Sequence, residues 1–289
     1  MNNATPNDQH LPLVTVGIPT YNRPESLART LDRVARQTYR HLEIIVSDNA
    51  SDGTATQDVV NAFCKSDHRI QYHRQSSNLG ANANFDFVLK KASGNYFMWA
   101  ADDDYFDDEN LIEALYSAIG GVKKMAFPNV NLICNDKTHN QYRCLTDFYS
   151  AAQTDEDYLL AWCRHGSGYP IYGLFNMEKA TKPELKASID SRLKCFGEGM
   201  FLHKLFLSGQ IAYVDSVSLN YSASATATTM PHGQLLMDFI TYTRGVLCLY
   251  LEAPLEEAFR KRLMRTLIDV HWPYLSSLAR QATEKRPSA

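Results

Sequence analysis

Residues 13–119 alternate four times between a short apolar run and an amphipathic stretch, joined by brief polar connections. The apolar runs at 13–18, 42–46, 69–73 and 96–101 have strand length. The second places two isoleucines side by side, as a strand buried on both faces does. In residues 24–38, Leu27, Leu31 and Val34 recur at helical spacing, and Pro24 suits a first turn. Val59, Val60 and Phe63 mark a helix over 54–64, Phe85, Val88 and Leu89 another over 80–92, and 109–119 is the fourth. Strands that alternate with helices in this way build βαβ units. The expected fold class is therefore α/β: a Rossmann-like, mostly parallel sheet flanked by helices.

The second half is less regular. Residues 120–150 read as strands and loops, 167–176 as a strand, 199–208 as a buried helix and 211–214 as a short strand. Two helices over 234–252 and 255–285, broken at Pro254, form a helical C-terminal extension.

The chain's 29 basic and 32 acidic residues leave a net charge of -3, so no basic field points to a nucleic acid partner. The six cysteines, at 64, 134, 144, 163, 195 and 248, form no Cys-x-x-Cys pair. They read as free thiols in a reducing compartment. Residues 1–10 are polar, without the apolar core of a secretory signal, and are expected to be a disordered tail. No run of about 18 apolar residues is long enough to cross a bilayer. The expected location is cytoplasmic.

In open parallel sheets, ligands bind beyond the carboxyl ends of the strands. Three polar clusters occupy such ends: Pro19-Thr20-Tyr21-Asn22, Asp48-Asn49 and Asp102-Asp103-Asp104. Three adjacent carboxylates repel one another, and a divalent cation relieves that repulsion. Oxygen ligands without a nearby His or Cys cluster favour Mg²⁺ or Mn²⁺. The competing reading is a solvated acidic loop that caps the next helix at Asp107 or Asp108. Asp48 can accept a base N–H such as the imino group of uracil, or it can close an Asx turn. Backbone groups and the Tyr21 ring at the first strand end could hold a nucleobase. Asn78-Leu79-Gly80 precedes a helix and is equally a turn and cap. Glu198, flanked by Gly197 and Gly199, is either an accessible general base or a helix-start carboxylate. Neither Gly-x-Gly-x-x-Gly nor the P-loop pattern occurs after the first strand, which counts against a dinucleotide site and a P-loop.

Val-Gly-Ile-Pro-Thr-Tyr-Asn-Arg, Glu-Ile-Ile-Val-Ser-Asp-Asn-Ala-Ser-Asp-Gly-Thr, Asn-Leu-Gly, and Ala-Ser-Gly-Asn-Tyr before Asp-Asp-Asp follow one another in order. Over about residues 12–119 this resembles family 2 glycosyltransferases of the GT-A fold, which are inverting enzymes. A weaker likeness covers 165–230, through Gly173-Leu174-Phe175 and Phe196-Gly197-Glu198. The resemblance implies a nucleotide-sugar-binding half over 11–120, an acceptor-binding half over 121–232 and the extension over 233–289. It implies that Pro19, Thr20, Tyr21, Asn22, Asp48, Asn78 and Asp102 hold the nucleotide. Mn²⁺ or Mg²⁺ would fall on Asp103, with Asp102 or Asp104 in support, because Ala101 stands where the family's first Asp usually is. Glu198 would be the catalytic base, since Gly199 replaces the Asp of the family's Glu-Asp pair. Ser222 to Thr229 replace an Arg/His pattern, for which His232 is a substitute candidate.

The implied partners are a nucleoside diphosphate sugar, with UDP-sugar favoured, and a saccharide or lipid-linked saccharide acceptor of bacterial surface polysaccharide or glycoconjugate synthesis. The cationic run Arg260, Lys261, Arg262 and Arg265 suits either a solvated helix face or an anionic membrane surface at the inner face of the plasma membrane, and the same helices could form a homodimer. Two competing functions are a sugar-nucleotide pyrophosphorylase, which would need a Gly-rich basic loop after the first strand, and a GT-A scaffold without catalysis.

Overall fold

The computed structural model describes residues 11–136, 139–144, 149–165, 168–189, 196–223 and 231–284. The expected tail at 1–10 and most of the Ser222 to Thr229 stretch lie outside the described residues. The four expected strand–helix pairs are present: β1 (Val14–Thr20), α1 (Pro24–Ala35), β2 (Leu42–Asp48), α2 (Ala55–Cys64), β3 (Ile70–Arg74), α3 (Ala81–Lys91), β4 (Tyr96–Trp99) and α4 (Leu111–Ile119). β5 (Met125–Asp136), β6 (His139–Cys144), α5 (Asp155–His165), β7 (Leu174–Asn176), α6 (Lys182–Ile189), α7 (Gly197–Leu207), β8 (Ile211–Ala223), α8 (His232–Glu252) and α9 (Glu257–Glu284) follow.

The strands form one eight-stranded sheet in the order β3-β2-β1-β4-β7-β5-β6, with β8 on β5. β1 to β4 run parallel, as the βαβ reading required. β7 enters antiparallel between β4 and β5 and joins the two halves of the chain in one sheet.

Alternation along each strand assigns the side chains to two cores. Val14, Val16 and Ile18, Ile44 and Val46, and Tyr96 and Met98 face α1, α2 and α4. Ile45, Phe97, Trp99, Met125 and Phe127 face α3, α5 and the C-terminal helices. Gly17 sits where α3 crosses β1: a Cβ there would lie 2.8 Å from Val88 Cγ2, so only glycine permits that approach.

Two expectations in the second half are corrected. Residues 169–172 form a 3-10 turn, and only Leu174–Asn176 are strand, because Pro170 stops the backbone from supplying a continuous ladder. The strand expected at 211–214 continues to Ala223, because β5 offers it a parallel partner beyond an irregularity between Pro128 and Asn129.

Candidate functional site

The ends of β2, β1 and β4 lie side by side. Thr20 pairs with Asp48 across the β1–β2 ladder, and its hydroxyl donates to Asp102 Oδ2 at 2.7 Å. One threonine thus touches the carboxylate beyond β4 while sitting beside the carboxylate of β2. Asn84 of α3 closes the corner from behind. Its amide donates to the carbonyls of Ser47 (2.9 Å) and Thr20 (3.3 Å), and its Oδ1 accepts the Ser47 hydroxyl (2.5 Å). These bonds seat the N-terminal end of α3 against the strand ends.

A cleft of about 310 Å³ opens there. Pro19, Thr20, Tyr21, Asn78 and Asp102 line it, together with Arg23, Asn49 and the first turns of α3. Asn78 is fixed by two bonds to its Oδ1, from the Asn49 amide (2.8 Å) and the Gly80 N–H (2.9 Å). Tyr21 is 41% exposed, so its ring is open to a ligand. α3 begins without a side-chain cap, so its unpaired N–H groups and positive dipole end favour an anion at this cleft.

Asn22 and Asp48 belong to the wall and not to the lining. Asn22 holds a left-handed backbone (φ 55°), stabilised by bonds with Asp52 at 2.7 and 2.9 Å and by its N–H to Ser51 Oγ at 2.8 Å. Asp48 is fully enclosed. Its Oδ1 closes a turn with the Ser51 N–H (2.8 Å), and its Oδ2 accepts from Tyr72 (2.7 Å) and Arg74 (3.4 Å). In this arrangement the turn role of Asp48 is realised, and Asn49 is the residue of that strand end that faces the cleft.

The three aspartates point three ways. Asp102 is 5% exposed and faces the cleft, Asp103 is on the surface, and Asp104 is buried beside Met98, Phe106 and Leu219 in an apolar pocket. Burial raises the Asp102 pKa above the ordinary range, although Thr20 and Arg23 pull it back. A buried carboxylate so placed favours a nearby positive charge. Arg23 Nη1 supplies it, 2.9 Å from Asp102 Oδ1 and 2.6 Å from Asp103 Oδ2. Downstream, Tyr105 and Asn220 exchange backbone bonds of 3.1 and 2.7 Å, which pins this loop to β8.

Among the described residues, no group of three His, Cys, Asp or Glu side chains gathers as a metal cage. Two carboxylates do converge on one cationic point, at Arg23 Nη1. One or two carboxylates completed by substrate phosphates is the way Mg²⁺-type ions are held, so Asp102 and Asp103 fit such an ion. Asp104 faces away from the cleft lining.

Glu198 lies outside the cleft lining, on the first turn of α7 with its side chain against Gly168. Burial raises its pKa. Rings of Phe85, Trp99, Phe175 and Phe201 follow one another at 6.3, 6.1 and 6.1 Å and connect the cleft wall to α7. Gly199 packs under Tyr242 of α8: a Cβ there would sit 3.0 Å from the Tyr242 hydroxyl. His232 opens α8 and is outside the lining.

Arg23, Tyr72, Arg74 and Asn84 join the site only in the folded structure. Arg23 directly follows Pro19-Thr20-Tyr21-Asn22, and a single cation beside a polar strand end is its sequence signal. Nothing local marked the other three.

A family model described as Glycosyl transferase family 2 matches residues 15–170. Glycosyltransferase GlyA of Streptococcus pneumoniae is 35% identical over 106 residues, which are 37% of this chain and 15% of that protein. A Campylobacter jejuni GalNAc(5)-diNAcBac-PP-undecaprenol beta-1,3-glucosyltransferase is 38% identical over 96 residues, 32% of this chain and 30% of that protein. A putative teichuronic acid biosynthesis glycosyltransferase, TuaG of Bacillus subtilis, is 30% identical over 128 residues, 44% of this chain and 50% of that protein. The matches therefore span half or less of these relatives' lengths. Among solved structures, S. aureus TarS 1-349 in complex with UDP superposes with a TM-score of 0.68 at 17% identity, over 95% of this chain and 75% of that one. Mannosyltransferase PcManGT from Pyrobaculum calidifontis, in complex with GDP-Man and Mn²⁺, gives 0.55 at 14% identity, over 99% and 79%.

Proposed function

The chain belongs to glycosyltransferase family 2, and from that premise we propose that it is an inverting glycosyltransferase, moving a sugar from a nucleoside diphosphate donor to an acceptor hydroxyl. The observation that carries this reading is the meeting of three strand ends at one cleft, with Thr20 beside Asp48 and bonded to Asp102. A pocket on opposite sides of the molecule from either carboxylate could not serve a nucleotide and its diphosphate together.

In this reading Pro19, Thr20, Tyr21 and Asn78 receive the nucleoside. Asp48, enclosed and outside the lining, reaches a base N–H only if Tyr72 and Arg74 swing off it, and Asn22 shapes the loop that presents Tyr21. Asp102 and Asp103 are the residues that would hold Mn²⁺ or Mg²⁺, and Asp104 stays structural. When bound there, the ion supplies positive charge opposite the departing diphosphate. Glu198 takes the proton of the acceptor hydroxyl as that oxygen attacks the anomeric carbon from the face opposite the leaving group. Its raised pKa makes it a stronger base than an ordinary surface glutamate.

The neighbours solved with UDP and with GDP-Man support a nucleoside diphosphate sugar as donor, and UDP-sugar is the favoured form. The relatives named for an undecaprenol-linked acceptor and for teichuronic acid support a saccharide or lipid-linked saccharide acceptor in bacterial surface polysaccharide synthesis. The work would then be done in the cytoplasm, at the inner membrane face. No described helix is long and apolar enough to cross a membrane. Exposed Ile268 and Trp272 share one stripe of α9 with Lys261 and Arg265, which supports a peripheral membrane contact or a second copy at the extension.

One observation favours a second reading, a nucleotide-binding protein without transfer. The acid that the family places at Gly199 is absent, and a Cβ there would sit 3.0 Å from the Tyr242 hydroxyl, so it would enter only if Tyr242 gave way by a few tenths of an ångström. Calorimetry with UDP, with and without Mn²⁺, followed by assay of UDP-sugar hydrolysis and transfer, separates the two. Binding with slow donor hydrolysis supports the transferase, and binding with neither hydrolysis nor transfer supports the second reading. No nucleotide binding under any condition removes both.

A further inference from the structure

Arg23 Nη1 occupies the one point that the Asp102 and Asp103 carboxylates share, at 2.9 and 2.6 Å. Both oxygens of Asp102 are already engaged, Oδ1 by Arg23 and Oδ2 by Thr20, so an ion held by Asp102 and Asp103 at about 2.1 Å must compete for an oxygen in use, and Oδ1 beside the exposed arginine is the accessible one. The guanidinium and the ion therefore exclude each other. Asp102 is the immobile partner: its side chain is 6% exposed and its other oxygen is held by Thr20. Arg23 is the exposed one: its side chain is 50% exposed, so water can take over its N–H groups. Its backbone is anchored, because the preceding Asn22 is tied to Ser51 and Asp52. Its side chain lines the cleft, so a displaced guanidinium remains within reach of whatever anion enters.

We propose that Arg23 is an internal counter-ion that competes with the divalent cation for the Asp102–Asp103 pair and transfers to the donor's diphosphate when nucleotide enters. This rests on reading the cleft as a nucleoside diphosphate site. Without nucleotide, the cation must displace two charge-assisted hydrogen bonds and leave Arg23 with water. With a diphosphate present, the planar guanidinium gains a bidentate anionic partner in exchange. Cation and nucleotide then bind with positive coupling, and that coupling is reciprocal.

Free Mn²⁺ counted by electron paramagnetic resonance, with and without saturating UDP, tests this without any turnover. Arg23→Gln should bind Mn²⁺ in the absence of UDP about tenfold or more tightly than the unaltered protein, the scale of one hydrogen bond to a charged group. The enhancement by UDP should shrink by the same factor. Arg23→Lys keeps the charge and should stay close to the unaltered protein, and a circular dichroism melt confirms that each variant is folded. Equal or weaker Mn²⁺ binding by folded Arg23→Gln overturns the proposal, as does absence of Mn²⁺ binding by every form even with UDP. Calorimetry with UDP in EDTA reports separately on the nucleotide site, so failure of that reading is distinguishable from failure of the competition.

Discussion

Removing one hydroxyl at Tyr242 tests how the extension holds the helix that carries Glu198. His203 of α7 is 2% exposed, and burial lowers its pKa to about 3, so it is neutral. The Trp162 indole N–H lies 3.2 Å from His203 Nδ1. An indole nitrogen can only donate, so Nδ1 carries the lone pair and the ring proton is on Nε2. That proton goes to the Tyr242 hydroxyl, 2.9 Å away. Tyr242→Phe keeps the ring between Phe196 and His271 but leaves a buried N–H with no acceptor. The expected cost is about 1–3 kcal/mol. Tyr250→Phe removes a hydroxyl that approaches Nδ1 and Cys163, yet Nδ1 keeps its indole donor. Its expected cost is smaller, about 1 kcal/mol. Urea unfolding at pH 7, with an unchanged dependence on denaturant, measures both. A larger loss for Tyr250→Phe than for Tyr242→Phe would refute the proton assignment and the link it makes between α7 and α8.

Three further outcomes are expected. His203 and His271 have folded pKa values lowered by burial to about 3 and about 4, whereas free histidine titrates near 6.5. Between about pH 4 and 6.5 the unfolded chain binds protons that the folded one does not, so stability falls with pH by up to about 1.4 kcal/mol per unit for each. The urea midpoint should therefore drop from pH 7 to 5, and these two groups should contribute nothing between pH 8 and 7. Glu198→Gln should abolish transfer and leave UDP affinity nearly intact. In the unaltered protein the acidic limb of kcat/KM should lie above the ordinary glutamate range, because burial raises that pKa and the base must be deprotonated to act. Full turnover by the Gln variant would remove Glu198 as base. Gly94→Ala would place a Cβ 2.7 Å from the Thr15 backbone nitrogen and should cost about 1–3 kcal/mol, read as a lower thermal midpoint.

The parallel half of the molecule was legible because its signals are local. Strands of period two and helices of period 3.6 each announce themselves within a dozen residues, and β1 to β4 with α1 to α4 lie where those patterns put them, within a few residues. Polar residues at strand ends pointed to one edge, since consecutive βαβ units place those ends side by side. The extension was legible for the same reason, with its two helices broken around Pro254. Long-range partners settled what remained. β8 runs to Ala223 only because β5 lies beside it, and Asp48 is enclosed because Tyr72 and Arg74, more than 20 residues on, fold over it. Asp102, Asp103 and Asp104 are equivalent as a string of letters. Thr20, Arg23 and an apolar pocket make them three different groups, because burial and charge partners belong to the space around a side chain and not to its place along the chain.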